Sequence, residues 1–237
     1  MLNYKKKISI IIPCFNEKKT ISLIISKIHK QSLPNKEIIL VDDCSSDGTK
    51  KIIKNFKSSF VDKVIFHKKN MGKGACIKTA KKYIDGQIVI IQDADLEYDP
   101  KDYKKLIFPI LRNRYKVVYG SRVLGKKRYN LKNFSSIYRI FFNHVLTIFS
   151  NLINKQKLTD AHTCYKVFSR DIFDKISLEE NGFSFCPEVT TKISNLGVNI
   201  LELPITYNGR TFEEGKKIKF KDGFQAIYAL IKYRILN

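Results

Sequence analysis

The sequence predicts an α/β fold: a Rossmann-like, mostly parallel sheet flanked by helices, with amphipathic helices toward the C-terminus. Three observations lead there. Short β-branched runs recur at 8–12, 37–41, 64–66, 88–91 and 117–119, separated by segments of helical period. The runs are almost continuously apolar, as strands covered on both faces are. The polar clusters follow the runs, at the strand ends where an open parallel sheet gathers its ligands.

The first strand runs into Pro13-Cys14-Phe15-Asn16-Glu17, and Ile21, Ile24, Ile25 and Ile28 then mark one helical face behind Thr20, a candidate cap. The second strand ends in Asp42-Asp43-Cys44-Ser45-Ser46-Asp47-Gly48-Thr49, with a helix expected near Asp47 as its cap. After the third, Asn70-Met71-Gly72-Lys73-Gly74 opens another helix. Lys73 is followed by glycine rather than Ser or Thr, so this is no Walker A loop, and the glycines are expected to let the helix begin close to a bound donor. The fourth strand delivers Gln92-Asp93-Ala94-Asp95, and a helix follows Pro100. Beyond Arg122 the pattern changes: a Lys126-Lys127-Arg128 linker, a long helical stretch at 134–153, a loop with Thr159-Asp160, a helix at 188–195, a strand at 199–203, a Gly/Lys-rich loop at 209–217 and a last helix from Asp222. Residues 1–122 are expected to form the ligand-binding core. Residues 123–237 would complete the same domain, with 134–153 and 222–236 as candidate membrane-interface helices.

Forty-three per cent apolar residues in 237 suffice for a buried core. Lys and Arg number 44 against 22 Asp and Glu, a formal charge of +22 that suits an anionic membrane surface or phosphorylated ligands, or reflects an AT-rich coding sequence. No zinc-finger spacing or stacking aromatics among basic residues appear, so nucleic acid is not the expected partner. Five scattered cysteines without a CxxC pair point to a reducing compartment. Residues 1–7 carry no apolar signal stretch, which places the expected catalytic domain on the cytoplasmic side.

Asp93 and Asp95, one residue apart, point to one face if the backbone stays extended, and Glu97 shares their parity. Hard carboxylate oxygens so arranged suit Mg²⁺ or Mn²⁺ bridging a diphosphate. A solvated acidic turn is the alternative for an isolated Asp-x-Asp. Asp42 and Asp43 end a buried strand, where a carboxylate can accept hydrogen bonds from a base N–H or a ribose hydroxyl.

The ordered series IIPCFNE, VDDCSSDGT, NMGKGACIKTA, QDADLEYDP and YGSR, spanning 8–122, resembles the family 2 glycosyltransferases of GT-A fold. It is most similar to the branch of dolichyl-phosphate mannose synthase and related polyprenyl-phosphate sugar synthases. TDAHTCYKVFSR, FCPEVTTKISNLG and LPITYNGRTFEEGKKIKFKDG extend the likeness to about 223. The resemblance implies that Pro13, Asn16, Glu17, Asp42, Asp43, Lys73 and Asp93 bind the nucleotide, and that Asp93, Asp95 and Glu97 hold the metal. It further implies that Asp95, Arg122 and Arg210 serve catalysis. Mannose synthases usually carry RxxGxSK near the C-terminus, whereas Arg210 here is followed by Thr-Phe-Glu-Glu-Gly-Lys216-Lys217, which leaves donor sugar and loop details open.

A hydroxyl acceptor needs a base, for which Glu188 is the candidate; a lipid phosphate needs none. Arg122, Arg139, Lys216 and Lys217 would suit the lipid's phosphate. Phe134, Ile137, Tyr138, Phe141, Phe142, Val145, Phe149 and Leu152 form an apolar stripe opposed by Ser135, Arg139, Asn143, Thr147 and Ser150, either a core seam or a lipid-facing one. Arg139, Asn143 and His144 interrupt it, so it is not expected to span a membrane. The expected function is inverting transfer of a hexose from a nucleotide sugar to a polyprenyl phosphate at a membrane surface, with a membrane protein as a further candidate partner. Transfer to a sugar hydroxyl and a non-catalytic nucleotide-sugar-binding role are the alternatives.

Overall fold

The computed structural model describes residues 6–33, 35–124, 134–210 and 220–235, with side chains from 140 and 223 onward in the last two stretches. Seven strands make one sheet: β1 (Ile8–Cys14), β2 (Lys36–Asp42), β3 (Lys63–Phe66), β4 (Ile88–Ile91), β5 (Val117–Ser121), β6 (Lys166–Ser169) and β7 (Ile200–Pro204), in the spatial order β3-β2-β1-β4-β6-β5-β7. β1 pairs in parallel with β2 and β4, β2 with β3, and β5 with β7.

Alternation along each strand loads both faces. Ile8, Ile10 and Ile12 of β1 with Ile38 and Leu40 of β2 pack under α1 (Ile21–His29), α2 (Thr49–Lys54) and α4 (Tyr103–Leu111). Ile11, Ile39 and Val41 pack under α3 (Lys73–Lys81), α6 (Arg170–Lys175) and α7 (Phe185–Asn195). Each buried isoleucine is worth about 1.5–3 kcal/mol relative to exposure, which makes the strand register costly to shift.

β6 departs from the sequence expectation, running antiparallel between β4 and β5. Its Lys-Val-Phe-Ser is too short and too polar to signal a central strand, yet all four residues are buried. The Lys166 ammonium lies 3.6 Å from the Tyr119 ring centroid and donates to Ala161 O at 3.1 Å, which compensates its burial. Two caps also differ from expectation. The Thr20 hydroxyl donates to Glu17 Oε2 (2.8 Å) instead of capping α1. Gly48 (φ 98°) occupies the cap position of α2, while Asp47 accepts from Thr49 N (2.9 Å) and Lys18 N (3.1 Å).

The helices α5 (Phe134–Asn154) and α8 (Phe220–Ile235) pack on α7 and on each other. The polarity of α5 is the reverse of a core seam. Thr147, Ser150 and Asn154 are buried, whereas Phe141, Phe142, Val145, Ile148 and Leu152 are 43–76% exposed. On α8, Phe224, Ile227, Tyr228, Ile231 and Ile235 are exposed as well. No helix among the described residues is long and apolar enough to cross a membrane.

Candidate active site

The loops after β1 and β2 are stitched edge to edge. Asn16, in the left-handed region (φ 52°), donates its N–H to Ser45 Oγ (2.8 Å) and accepts from Ser46 N at Oδ1 (2.8 Å), and Glu17 N donates to Thr49 Oγ1 (2.9 Å). Asn16 therefore shapes the cleft wall with its N–H and Oδ1 already engaged. Half-buried Pro13 lies at the end of β1 beside it.

Asp42 and Asp43 part company. Asp43 Oδ1 accepts from Met71 N (2.9 Å) and His67 Nδ1 (2.7 Å), and Oδ2 from Gly72 N (2.7 Å), so its carboxylate is consumed in shaping the loop before α3. Asp42 is fully buried and accepts from Ser45 N (3.2 Å) through Oδ2, while Oδ1 has no partner. A buried, unpaired carboxylate oxygen is costly and suits a ligand N–H or O–H. Asp43, His67 and Cys76 offer ligand atoms within 4.8 Å of one another, a group that could hold a metal ion, although hydrogen bonds already engage Asp43 and both His67 nitrogens.

The second centre lies past β4. Gln92, fully buried, accepts from Tyr103 OH (2.7 Å) and Tyr165 OH (2.6 Å), which fixes the chain entering Asp93. The backbone then turns instead of staying extended, with Leu96 at φ 64° and Glu97 N donating to Asp95 Oδ1 (3.1 Å). The carboxylates thus meet through a turn, not through strand parity. A non-glycine residue in the left-handed region carries a cost that its surroundings must offset.

Cations from two other segments meet this acidic ridge. Lys73, the first residue of α3, bonds Asp93. Burial opposes the Lys73 charge most, but the Asp93 carboxylate, together with Cys164 and Cys186, raises the pKa. The Arg210 guanidinium donates to both oxygens of Glu17 (3.1 Å each) and to Asp95 Oδ2 (3.0 Å), and the Arg210 backbone N–H donates to Glu97 Oε1 (2.8 Å). Tyr207 OH donates to Glu97 Oε2 (2.8 Å). Burial, then the Asp93 and Glu97 charges, push Asp95 up to about 7 even with Arg210 beside it. Glu17, Asp95 and Glu97 therefore converge on a position where a cation already sits, and the hard oxygens of Asp95 and Glu97 fit a divalent ion.

Arg122 is held differently. Its N, Nε and Nη2 all donate to Asp160, at 3.0, 2.7 and 2.7 Å, and its guanidinium lies 5.3 Å from the Tyr207 ring centroid. Asp160 is fixed in turn by Glu202, which accepts from Thr159 N (2.5 Å) and Asp160 N (2.9 Å). Sequence reasoning noted the Thr159-Asp160 loop without assigning it this role; the Asp160 carboxylate, 38 residues away in the chain, carries no local signal of its partner. Lys216, Lys217 and the side chain of Arg139 lie outside the described residues.

Glu188 is fully buried and accepts from Glu179 N (2.6 Å), Glu180 N (3.0 Å) and Lys192 Nζ (3.0 Å). Those bonds fix the 179–182 loop, against which α3 begins. A Cβ on Gly72 would lie 2.5 Å from Asn181 O, and one on Gly74 2.2 Å from Glu180 O. The glycines thus admit this loop, and the contact sets Lys73 at Asp93.

Comparison with known proteins adds to this geometry. Residues 9–177 match the model of glycosyl transferase family 2. A dolichyl-phosphate beta-glucosyltransferase of Trichomonas vaginalis is 27% identical over 247 residues, covering 97% of this chain and 73% of that protein. A UDP-N-acetylglucosamine–dolichyl-phosphate N-acetylglucosaminyltransferase of Methanococcus voltae is 27% identical over 248 residues, covering 97% of each. Among solved structures, glucosyl-3-phosphoglycerate synthase of Mycobacterium tuberculosis, in complex with Mn²⁺, UDP and glucosyl-3-phosphoglycerate, aligns with TM-score 0.72 at 18% identity over 97% of this chain and 80% of that one. That likeness is one of fold, the GT-A architecture of a mostly parallel sheet between helices.

Proposed function

The chain belongs to glycosyl transferase family 2 and is a glycosyltransferase, and from that premise we propose that it transfers a hexose, with inversion, from a nucleotide diphosphate sugar to a polyprenyl phosphate at a membrane surface. The observation that carries the acceptor is the outward apolar side of α5 and α8, with the polar Thr147, Ser150 and Asn154 turned inward. Burying that surface among acyl chains suits an interfacial helix pair. Lys126, Lys127, Arg128 and Lys132 precede α5, and Lys216, Lys217 and Lys219 precede α8, which matches an anionic surface. The two dolichyl-phosphate transferases among the relatives support the same acceptor class.

On this reading Asp42 takes a donor N–H on its unpaired oxygen, with Pro13 and Asn16 as the adjoining wall. Asp93, Asp95 and Glu97 would hold Mg²⁺ or Mn²⁺, the class of ion bound by the mycobacterial synthase. That ion would offset the charge of the departing diphosphate. Lys73 holds Asp93 in place, and Arg122, preset by Asp160, presents its remaining N–H groups to a phosphate. The acceptor's phosphate oxygen attacks the anomeric carbon as the bond to the nucleoside diphosphate breaks. That oxygen is already anionic, so no base is required, in keeping with a Glu188 fully engaged in structure.

The protein incubated with UDP- and GDP-sugars, Mn²⁺ and polyprenyl phosphate in anionic vesicles should yield lipid-linked sugar. Phe141→Ser with Leu152→Ser should lower vesicle binding without changing the circular dichroism spectrum. Transfer only to a soluble acceptor such as 3-phosphoglycerate or a sugar alcohol, with no vesicle binding, would refute the lipid reading.

A further inference from the structure

We infer that Arg210 is a built-in counter-cation that holds the divalent ion's position beside Asp95 and Glu97 and has to leave Asp95 when the ion enters. The inference rests on the metal-dependent reading of the site and adds a competition within it.

The guanidinium and the ion would draw on the same oxygen. Arg210 Nη2 is 3.0 Å from Asp95 Oδ2 and Nε is 3.8 Å from Glu97 Oε1. A bound Mg²⁺ needs its ligand oxygens at about 2.0–2.1 Å in near-octahedral order, leaving no room for a guanidinium on the same lone pairs. Two cations at that separation also repel strongly in a half-dry site. The hold of Arg210 is incomplete, because its buried Nε finds no hydrogen-bond partner. A fork whose donors were all satisfied would be much harder to displace.

The surroundings allow the side chain to leave while the backbone stays. Thr206 N donates to Asp102 Oδ2 (2.7 Å) and Asn208 N to Glu97 O (2.9 Å), and Tyr98 bridges to Tyr207, so the segment entering Arg210 is pinned to the same turn that carries the carboxylates. Glu17 stands in the loop after β1 and takes both Nη1 and Nη2. Rotation about the Arg210 side chain can therefore release Asp95 while Glu17 keeps the guanidinium nearby, facing where a donor diphosphate would lie. The ion takes the carboxylates and the diphosphate takes the fork. Ion and donor should then bind with positive coupling, since each compensates Arg210 for what the other removes.

Titration of Mn²⁺ by electron paramagnetic resonance, without and with UDP, tests the competition. Arg210→Gln removes the charge but keeps a hydrogen-bonding side chain, and should bind Mn²⁺ alone at least about tenfold tighter than the parent. UDP should tighten Mn²⁺ binding in the parent and do so less in the variant. Equal Mn²⁺ affinity in a folded variant overturns the inference while leaving the metal reading intact; no Mn²⁺ binding by either protein removes both. Should Arg210→Gln fail to fold, a crystal structure of the parent with Mn²⁺ and UDP decides. Arg210 departed from Asp95 supports the exchange, and an unchanged Arg210–Asp95 contact beside a bound ion refutes it.

Discussion

Replacing Asp160 should be among the most damaging single changes in the site, and the structure sets the scale. Three N–H groups of Arg122 end on this one carboxylate, which is 4% exposed, and the Arg122 side chain is 16% exposed. Asp160→Ala leaves a nearly buried guanidinium without its counter-charge, a loss of about 3–5 kcal/mol. In a chain of this size each kcal/mol lowers the melting temperature by roughly 2–4 °C, so the expected drop is about 6–20 °C. Asp160→Asn keeps one acceptor oxygen and should lose about half as much. The pH dependence follows from the sign of the shift. Burial alone would raise the Asp160 pKa, but the Arg122 charge overrides it and the folded value is depressed. The pair's contribution is then fully present above the unfolded value of about 3.9 and fades as pH falls through the folded one. Urea denaturation followed by circular dichroism should show the gap between parent and Asp160→Asn constant from pH 7 to 5 and closing below about pH 4. An alanine variant within about 1 kcal/mol of the parent would mean that the pair behaves as a solvated surface bridge, and the reasoning would fail.

Three further outcomes follow from the same geometry. Asp42→Ala should weaken nucleotide binding by roughly 1–3 kcal/mol, the range for a hydrogen bond to a charged group, as read by calorimetry with UDP and GDP; equal affinities would place base recognition elsewhere. Glu188→Gln should cost about 1–3 kcal/mol of stability, because its oxygens hold Glu179 N, Glu180 N and Lys192, yet leave substantial turnover per folded molecule. Abolished turnover in a well-folded variant would favour an alcohol acceptor with Glu188 as base. Asp95→Ala should abolish transfer, and EDTA should do the same to the parent; full turnover in EDTA would remove the metal from the reading.

The parallel half of the sheet was legible because each strand of β1, β2 and β4 advertises itself by a run of β-branched residues bounded by polar turns. β6 was not, since Lys166 looks solvent-bound until the Tyr119 ring and Ala161 O are placed around it. The carboxylates of the site stood out by their position at strand ends, but their roles did not. Asp42 and Asp43 are adjacent and chemically identical, and only the path of 67–72 decides that one is consumed by backbone and the other keeps a bare oxygen. The stripe on α5 shows the limit from the other side. Its period is the same whether it faces core or solvent, and the three-dimensional packing of Thr147, Ser150 and Asn154 breaks the tie.

The electrostatic plan of the cleft joins these observations. Glu17, Asp93, Asp95 and Glu97 would repel one another if left alone, and burial strengthens that repulsion by lowering the local dielectric. The chain answers with two cations from distant segments, Lys73 on Asp93 and Arg210 on Glu17 and Asp95. Their attachments differ in kind. Lys73 is fixed from below, because Gly72 and Gly74 allow α3 to begin hard against the loop that Glu188 holds, and moving it would disturb that packing. Arg210 reaches in by a long side chain from a surface segment and leaves one donor unsatisfied. A ligand that brings its own positive charge to the ridge therefore displaces Arg210 before Lys73. On that basis Asp93 is the member of the cluster whose own counter-cation stays in place, and Asp95 the one whose counter-cation gives way.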